Sequence, residues 1–215
     1  MNRLTEASRQ GGITARISAF FTRRQLRQLA GRETERMLDP LQLYGYTPGL
    51  LRAYGSLEKA SAKLSRVEPR IKNLAELKTA TLTGCEYCID LGSAVARRSG
   101  LTDEQLLALP SHSTSPLFSP LEKLVLDFAA SMTRTPVDVS DELYAQLRSH
   151  FDEAELIEIA HRVALENMRG RLNHTFGIGA SGFSEGTVCA VPERQREAPS
   201  SCLRGGNFAD PEGHK

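Results

Sequence analysis

The stretch "GCEYCIDLGS", residues 84–93, sets Cys85 and Cys88 three apart, an acid two residues further on, and Gly92 one helical turn past the second thiol. Two thiols at this spacing can clasp a metal, sit inert in a core, or cycle between dithiol and disulfide. Upstream, "EPRIKNLAELKTATLTG" carries Ile71, Leu74, Ala75, Leu77 and Leu82 at helical spacing, with Gly84 placed as a stop. Downstream, "IDLGSAVARRSG" continues as helix to Gly100. The pair therefore falls at the first turn of a helix. Unpaired N–H groups and the helix dipole there favour thiolate over thiol.

Working outward, the same grammar recurs on both sides. "TPGLLRAYGSLEKASAKLS" has Pro48 where a first helical turn tolerates it, then Leu50, Leu51, Tyr54 and Leu57 at three- and four-residue spacing. "TDEQLLALP" is a short helix capped by Thr102 and halted before Pro110. "SPLEKLVLDFAASMTRTP" opens with Ser119, Pro120 and Glu122, a capping box. "SDELYAQLRSHF" starts at Ser140, and a long final helix begins with Asp152 and Glu155 in the same boxed relation. Its apolar stripe is Leu156, Ile159, Ala160, Val163 and Ala164, while Ile157 widens the apolar surface beyond one stripe. No segment alternates with period two, so the predicted fold class is all-α, with a helix-opening CxxC.

Three regions follow. Residues 1–32 form a basic amphipathic extension: Arg9, Arg16, Arg23, Arg24, Arg27 and Arg32 fall where no acid occurs, with Ile13, Ile17, Phe20 and Phe21 at helical spacing. Such a segment is either a docking helix or an organelle-targeting or membrane-surface helix. Residues 33–189 form the helical domain. Residues 190–215 turn to Pro, Ser, Gly and charge without periodicity and read as a disordered tail. Cys202 lies there and Cys189 just before it, too remote in context to argue a second pair.

The chain has 215 residues, 40% of them hydrophobic and 25% charged, with a formal charge of +1. Bulk electrostatics gives no reason to expect a nucleic-acid partner. No apolar run reaches the roughly 18 residues of a membrane span. Four cysteines, two of them a CxxC, are no secreted disulfide framework, so a cytoplasmic location is expected.

A structural zinc site wants four ligands, and here there is one CxxC, with His161 and His174 thirteen residues apart on different faces. The ligand arithmetic fails, and neither metal nor cofactor is expected. Simple core packing remains open, since cysteines are often small core residues. The redox reading has the helix start in its favour: one sulfur attacks a peroxide or disulfide and the other closes the bridge. A thioredoxin-type setting would need strands.

At this point a resemblance enters. "LAELKTATLTGCEYCIDLGSAVARRSGL" resembles the core of the carboxymuconolactone decarboxylase family, in its alkylhydroperoxidase AhpD-like branch. "ALENMRGRLNHTFGIGASGFSEG" is similar to the C-terminal half of a longer branch of that family. The resemblance covers about Ile13 to Glu193. It implies a compact helical bundle assembling as homo-oligomers, a hydroperoxide substrate, and a separate dithiol reductant. It also implies Cys88 as the peroxide-attacking thiol and Cys85 as the resolving one. The AhpD-like pattern has a glutamate twelve residues before the first cysteine and a histidine four after the second; here those positions hold Asn73 and Gly92. Neither exchanges a proton near neutral pH.

Glu76, on the face of Asn73 and nearly a turn closer to the pair, is the candidate stand-in, set against a solvated surface carboxylate. Asp90 points around the helix from Cys88. His161 and His174 read as surface or network residues, and Asn167, Arg171 and Asn173 as candidates for an oligomer interface. Tyr87 walls a substrate pocket or packs. The leading expectation is a thiol-dependent peroxidase with slow turnover. The alternatives are a carboxymuconolactone-type decarboxylase, for which Arg169 and Arg171 are the only evident cations, and a non-catalytic oligomeric redox sensor.

Overall fold

The computed structural model of the chain describes residues 13–193, the first six of them as backbone only. Nine α-helices and a 3-10 turn at Leu109–Ser111 make up its regular structure, and no strand occurs among the described residues, as the periodicity predicts. They are α1 (Ile13–Ala30), α2 (Asp39–Gly45), α3 (Pro48–Ser61), α4 (Pro69–Thr83), α5 (Glu86–Arg98), α6 (Asp103–Ala108), α7 (Pro120–Thr133), α8 (Asp141–Arg148) and α9 (Glu153–Thr175). Helix starts are set locally. Thr102, Ser119 and Asp152 each accept the N–H of the residue three on, and Gln105, Glu122 and Glu155 reach back to complete capping boxes. The short α2, with Pro40 in its first turn, had no periodicity to announce it.

Helix α4 is the axis, packed against α5, α7 and α9 at once. One apolar core forms on its α5 side, with Met37, Leu77, Tyr87, Leu106, Leu126 and Phe183; the other lies toward α7 and α9, with Ile71, Ala75, Val125, Phe128, Ile159 and Val163. Each buried Leu, Ile, Val, Phe or Met among them contributes roughly 1.5–3 kcal/mol by leaving water. Buried on nearly every side, α4 must also satisfy polar residues. Lys72 Nζ reaches Glu158 at 2.7 Å and the Leu64 carbonyl at 2.7 Å. Lys78, only 2% exposed, donates to the Leu109 carbonyl and pairs with Glu193, beside His112. Charges so buried persist because they are paired and hydrogen-bonded.

Two residues make the turn from α4 to α5. Gly84 sits at φ +68°, the left-handed region open to glycine, and Cys85 follows in extended geometry as the N-cap of α5. Helix α1 lies along α5. The expected tail begins in order: Ala190 is buried, and the Glu193 N–H donates to the Thr81 carbonyl at 3.1 Å. Its remaining residues, 194–215, including Cys202, lie outside the described residues, as do residues 1–12 of the basic extension.

Candidate thiol site

Cys85 and Cys88 are joined as a disulfide, their Cα atoms 5.2 Å apart, well within bridging range. The helix start does this. Cys85 Sγ occupies the N-cap and accepts the Cys88 N–H at 3.2 Å, so the capping donor points at a sulfur. The two thiols are not equally placed: Cys85 is 1% exposed and Cys88 8%. Cys189 is also buried and is not a free thiol.

A third group completes the pair. Asn173, buried near the end of α9, donates its Nδ2 to Cys85 Sγ at 3.5 Å and to Cys88 Sγ at 3.6 Å. Its backbone is fixed by the turn that follows, where the Ile178 N–H donates to the Asn173 carbonyl. One turn earlier, Gly170 lets α9 approach α4, since a Cβ there would stand 2.5 Å from Thr83 Oγ1. Asn173 is thus no surface residue. Asn167 is also internal, donating to Thr133 Oγ1 and accepting from Arg171. For Asn167 and Asn173 the interface reading gives way to an interior one, because α9 is covered by α4 and α7 along this face, whereas Arg171 stays exposed.

The other expected residues fall as follows. Tyr87 is buried, donates its hydroxyl to the Met37 carbonyl at 2.6 Å and meets Phe183 edge-on. Burial, with Asp39 and Asp90 nearby, pushes its phenol far above the usual range, so it stays neutral. Asp90 points away from the sulfurs, as expected. It takes the N–H groups of Ser181, Gly182, Phe183 and Ser184 at 2.7–3.0 Å. His161 is half-buried against Ser61 Oγ at 2.6 Å, and His174 is exposed.

Glu76 is not a solvated surface carboxylate. One oxygen takes Arg162 at 2.6 Å and the other Arg169 at 3.3 Å. Arg169 in turn holds Glu58 through two nitrogens, at 2.9 and 2.5 Å, and Glu166 at 3.1 Å. Three carboxylates and two guanidinium groups therefore share one site between α3, α4 and α9. Burial, with Glu76 and Glu58 nearby, raises Glu166 to about 7 against the pull of Arg169, and its Oε1 is buried without a partner. Nothing in the sequence marks Glu166, since its burial depends on helices far away in the chain.

Neither relay position offers a proton carrier near the pair. Asn73 faces an open cleft of about 450 Å³ toward the far end of the α4–α5 hairpin, with Gln28, Arg70 and Val95 among its walls. Gly92 has Leu77 against it: an added Cβ would stand 3.0 Å from Leu77 Cδ1. The place of the expected histidine is filled by core.

An all-helical bundle with a disulfide-forming CxxC at the start of an inner helix defines an AhpD-like protein. Solved structures agree on the fold. A debrominase, Bmp8, superposes with a TM-score of 0.67 at 20% identity, over 85% of this chain and 92% of that one. The alkylhydroperoxidase AhpD core of a peroxidase-related protein from Ralstonia eutropha gives 0.65 at 17%, over 85% and 94%. By sequence, the uncharacterized protein YnjA of Escherichia coli is 34% identical over 164 residues, 74% of this chain and 85% of that protein. The carboxymuconolactone decarboxylase family model matches residues 48–131. The chain belongs to the carboxymuconolactone decarboxylase family.

Proposed function

We propose that the protein is a thiol-dependent oxidoreductase that reduces hydroperoxides through Cys85 and Cys88 and is recharged by a separate dithiol. The observation that carries this reading is the pair itself: two sulfurs bonded at a helix N-cap, with Cys88 the less deeply buried of the two residues. In the cycle the Cys88 thiolate attacks the peroxide oxygen, the O–O bond breaks, and the alcohol leaves with a proton. Cys85 then attacks the sulfenic acid at Cys88, water departs, and the disulfide closes. A dithiol returns two electrons and two protons. Both Glu76 oxygens are engaged by guanidinium groups, Arg162 and Arg169, and not by the sulfurs. Proton exchange then falls to water at Cys88, and without a general acid–base group, worth about 10²–10⁴ in rate, turnover is slow. A reducing cytosol suits such a couple.

The lactone decarboxylase reading needs cations free to hold the substrate's carboxylates. Arg169 is already taken by Glu58, Glu76 and Glu166, and Arg171 by Asn167 and Thr135. The test is peroxide consumption by the reduced protein with a dithiol donor. The wild type should turn over while Cys85→Ser and Cys88→Ser do not. A wild-type rate no greater than that of the dithiol alone would return the chain to the redox-sensor reading.

A further inference from the structure

Asn173 meets the thiol pair in a way that its sequence context conceals. Its amide is buried at 3% exposure, lies 88 residues from Cys85 in sequence, and points Nδ2 at both sulfurs. An uncharged disulfide sulfur is a weak acceptor, whereas a thiolate takes a charge-assisted hydrogen bond of roughly twice the strength of a neutral one. A donor fixed against the pair therefore does little for the closed bridge and more for the opened one. That difference between states is what moves a thiol equilibrium. The two sulfurs also differ. Cys85 Sγ receives the Cys88 N–H at the N-cap of the 13-residue α5 in addition to Asn173, while Cys88, at 8% exposure against 1%, is the less deeply buried residue.

We propose that Asn173 is a catalytic hydrogen-bond donor to the thiolate released when the disulfide opens, making Cys85 the leaving sulfur and Cys88 the sulfur attacked from outside. The inference rests on thiol–disulfide cycling at this pair and adds a residue and a polarity to it. The donor's thiolate attacks Sγ of Cys88, the less deeply buried cysteine, forming a mixed disulfide. The Cys85–Cys88 bond breaks, and its electron pair goes to Cys85 Sγ, between the Asn173 amide and the Cys88 N–H. The donor's second thiolate attacks its own bridged sulfur and expels Cys88 as thiolate. The donor leaves as a disulfide, two electrons have entered the protein, and the two protons the donor thiols shed end on the cysteines.

The test uses the full chain and no peroxide. In a Cys88→Ser background, the pH dependence of iodoacetamide alkylation reads the Cys85 thiol directly. Asn173→Leu, of similar size but without a donor, should raise that thiol by about one pH unit, and Asn173→Asp by more. With both cysteines present, the rate of opening by dithiothreitol should fall about tenfold in Asn173→Leu. In the otherwise wild-type protein, glutathione followed by rapid acid quench and peptide mass spectrometry should find the adduct on Cys88. An adduct on Cys85, or titrations and opening rates unchanged in folded variants, would overturn the proposal. The adduct measurement needs no variant, so it decides even where Asn173→Leu fails to fold. An absence of peroxide turnover would sink the peroxidase reading while leaving these readouts intact, whereas a bridge that no dithiol opens would sink both.

Discussion

At Asp90 one buried carboxylate takes four consecutive backbone N–H groups, from Ser181 to Ser184, while the Ser184 hydroxyl donates to the Asp90 carbonyl. The loop after α9 is thereby pinned to α5, and Phe183 is held against Tyr87. Replacing one oxygen by an NH₂ group turns acceptors into a donor that faces other donors. Asp90→Asn should therefore cost about 2–4 kcal/mol, read as a lower urea midpoint with an unchanged slope. A midpoint within error of the wild type would mean that the clamp carries no weight. Gly92 is likewise constrained, because a histidine placed there must first displace Leu77.

Among the helices, the cluster joining α3, α4 and α9 makes stability depend on pH in a stated direction. Glu166 rises from its ordinary 4.5 to about 7 because burial disfavours its charge, with Glu76 and Glu58 adding to that and Arg169 opposing it. Tyr54, Arg162 and Tyr87 also lie within electrostatic reach of the cluster. Between those values folding takes up a proton, so this group's contribution is complete below about 4.5 and is lost as pH rises through about 7. Glu58 acts oppositely. Burial alone would raise it, but the Arg169 charge and hydrogen bonds outweigh burial and hold it below 4.5, so its contribution disappears as acid is added. Stability should accordingly peak in weak acid and fall between pH 5 and pH 8. Chemical denaturation of Glu166→Gln across this range should give a flatter curve, and an unaltered slope would assign the dependence elsewhere.

For the whole molecule, the apolar surface left over is the informative quantity. Ile157 on α9 is 68% exposed, and Phe20 and Phe21 on α1 are each 63% exposed. A helix apolar beyond its buried stripe is normally covered on a second side. We expect a homo-oligomer: sedimentation at micromolar concentration should give a species heavier than the 23.6 kDa chain, and Ile157→Asp should shift it toward monomer. A single 23.6 kDa boundary for the wild type would refute this.

What the amino-acid order determined alone was local. Caps at Thr102, Ser119 and Asp152, the stop at Gly84 and the start at Cys85 each depend on groups within about four residues, so spacing reveals them. The all-α class followed from those, and the helix start favoured a bridging pair over simple core packing without excluding it. Even α4 was legible as a helix, although the reason for Lys72 and Lys78 within it was not. The remainder waited on tertiary structure. Asn173 meets the sulfurs, Asp90 meets the loop at 181–184, and Arg169 gathers Glu58 and Glu76, across separations of 85 to 111 residues. In "RLNHTFGIGA" an amide bound for the interior is spelled like one bound for solvent. Burial and partner are properties of the packed chain, and only packing against α4 and α5 turned Asn173 toward the thiols.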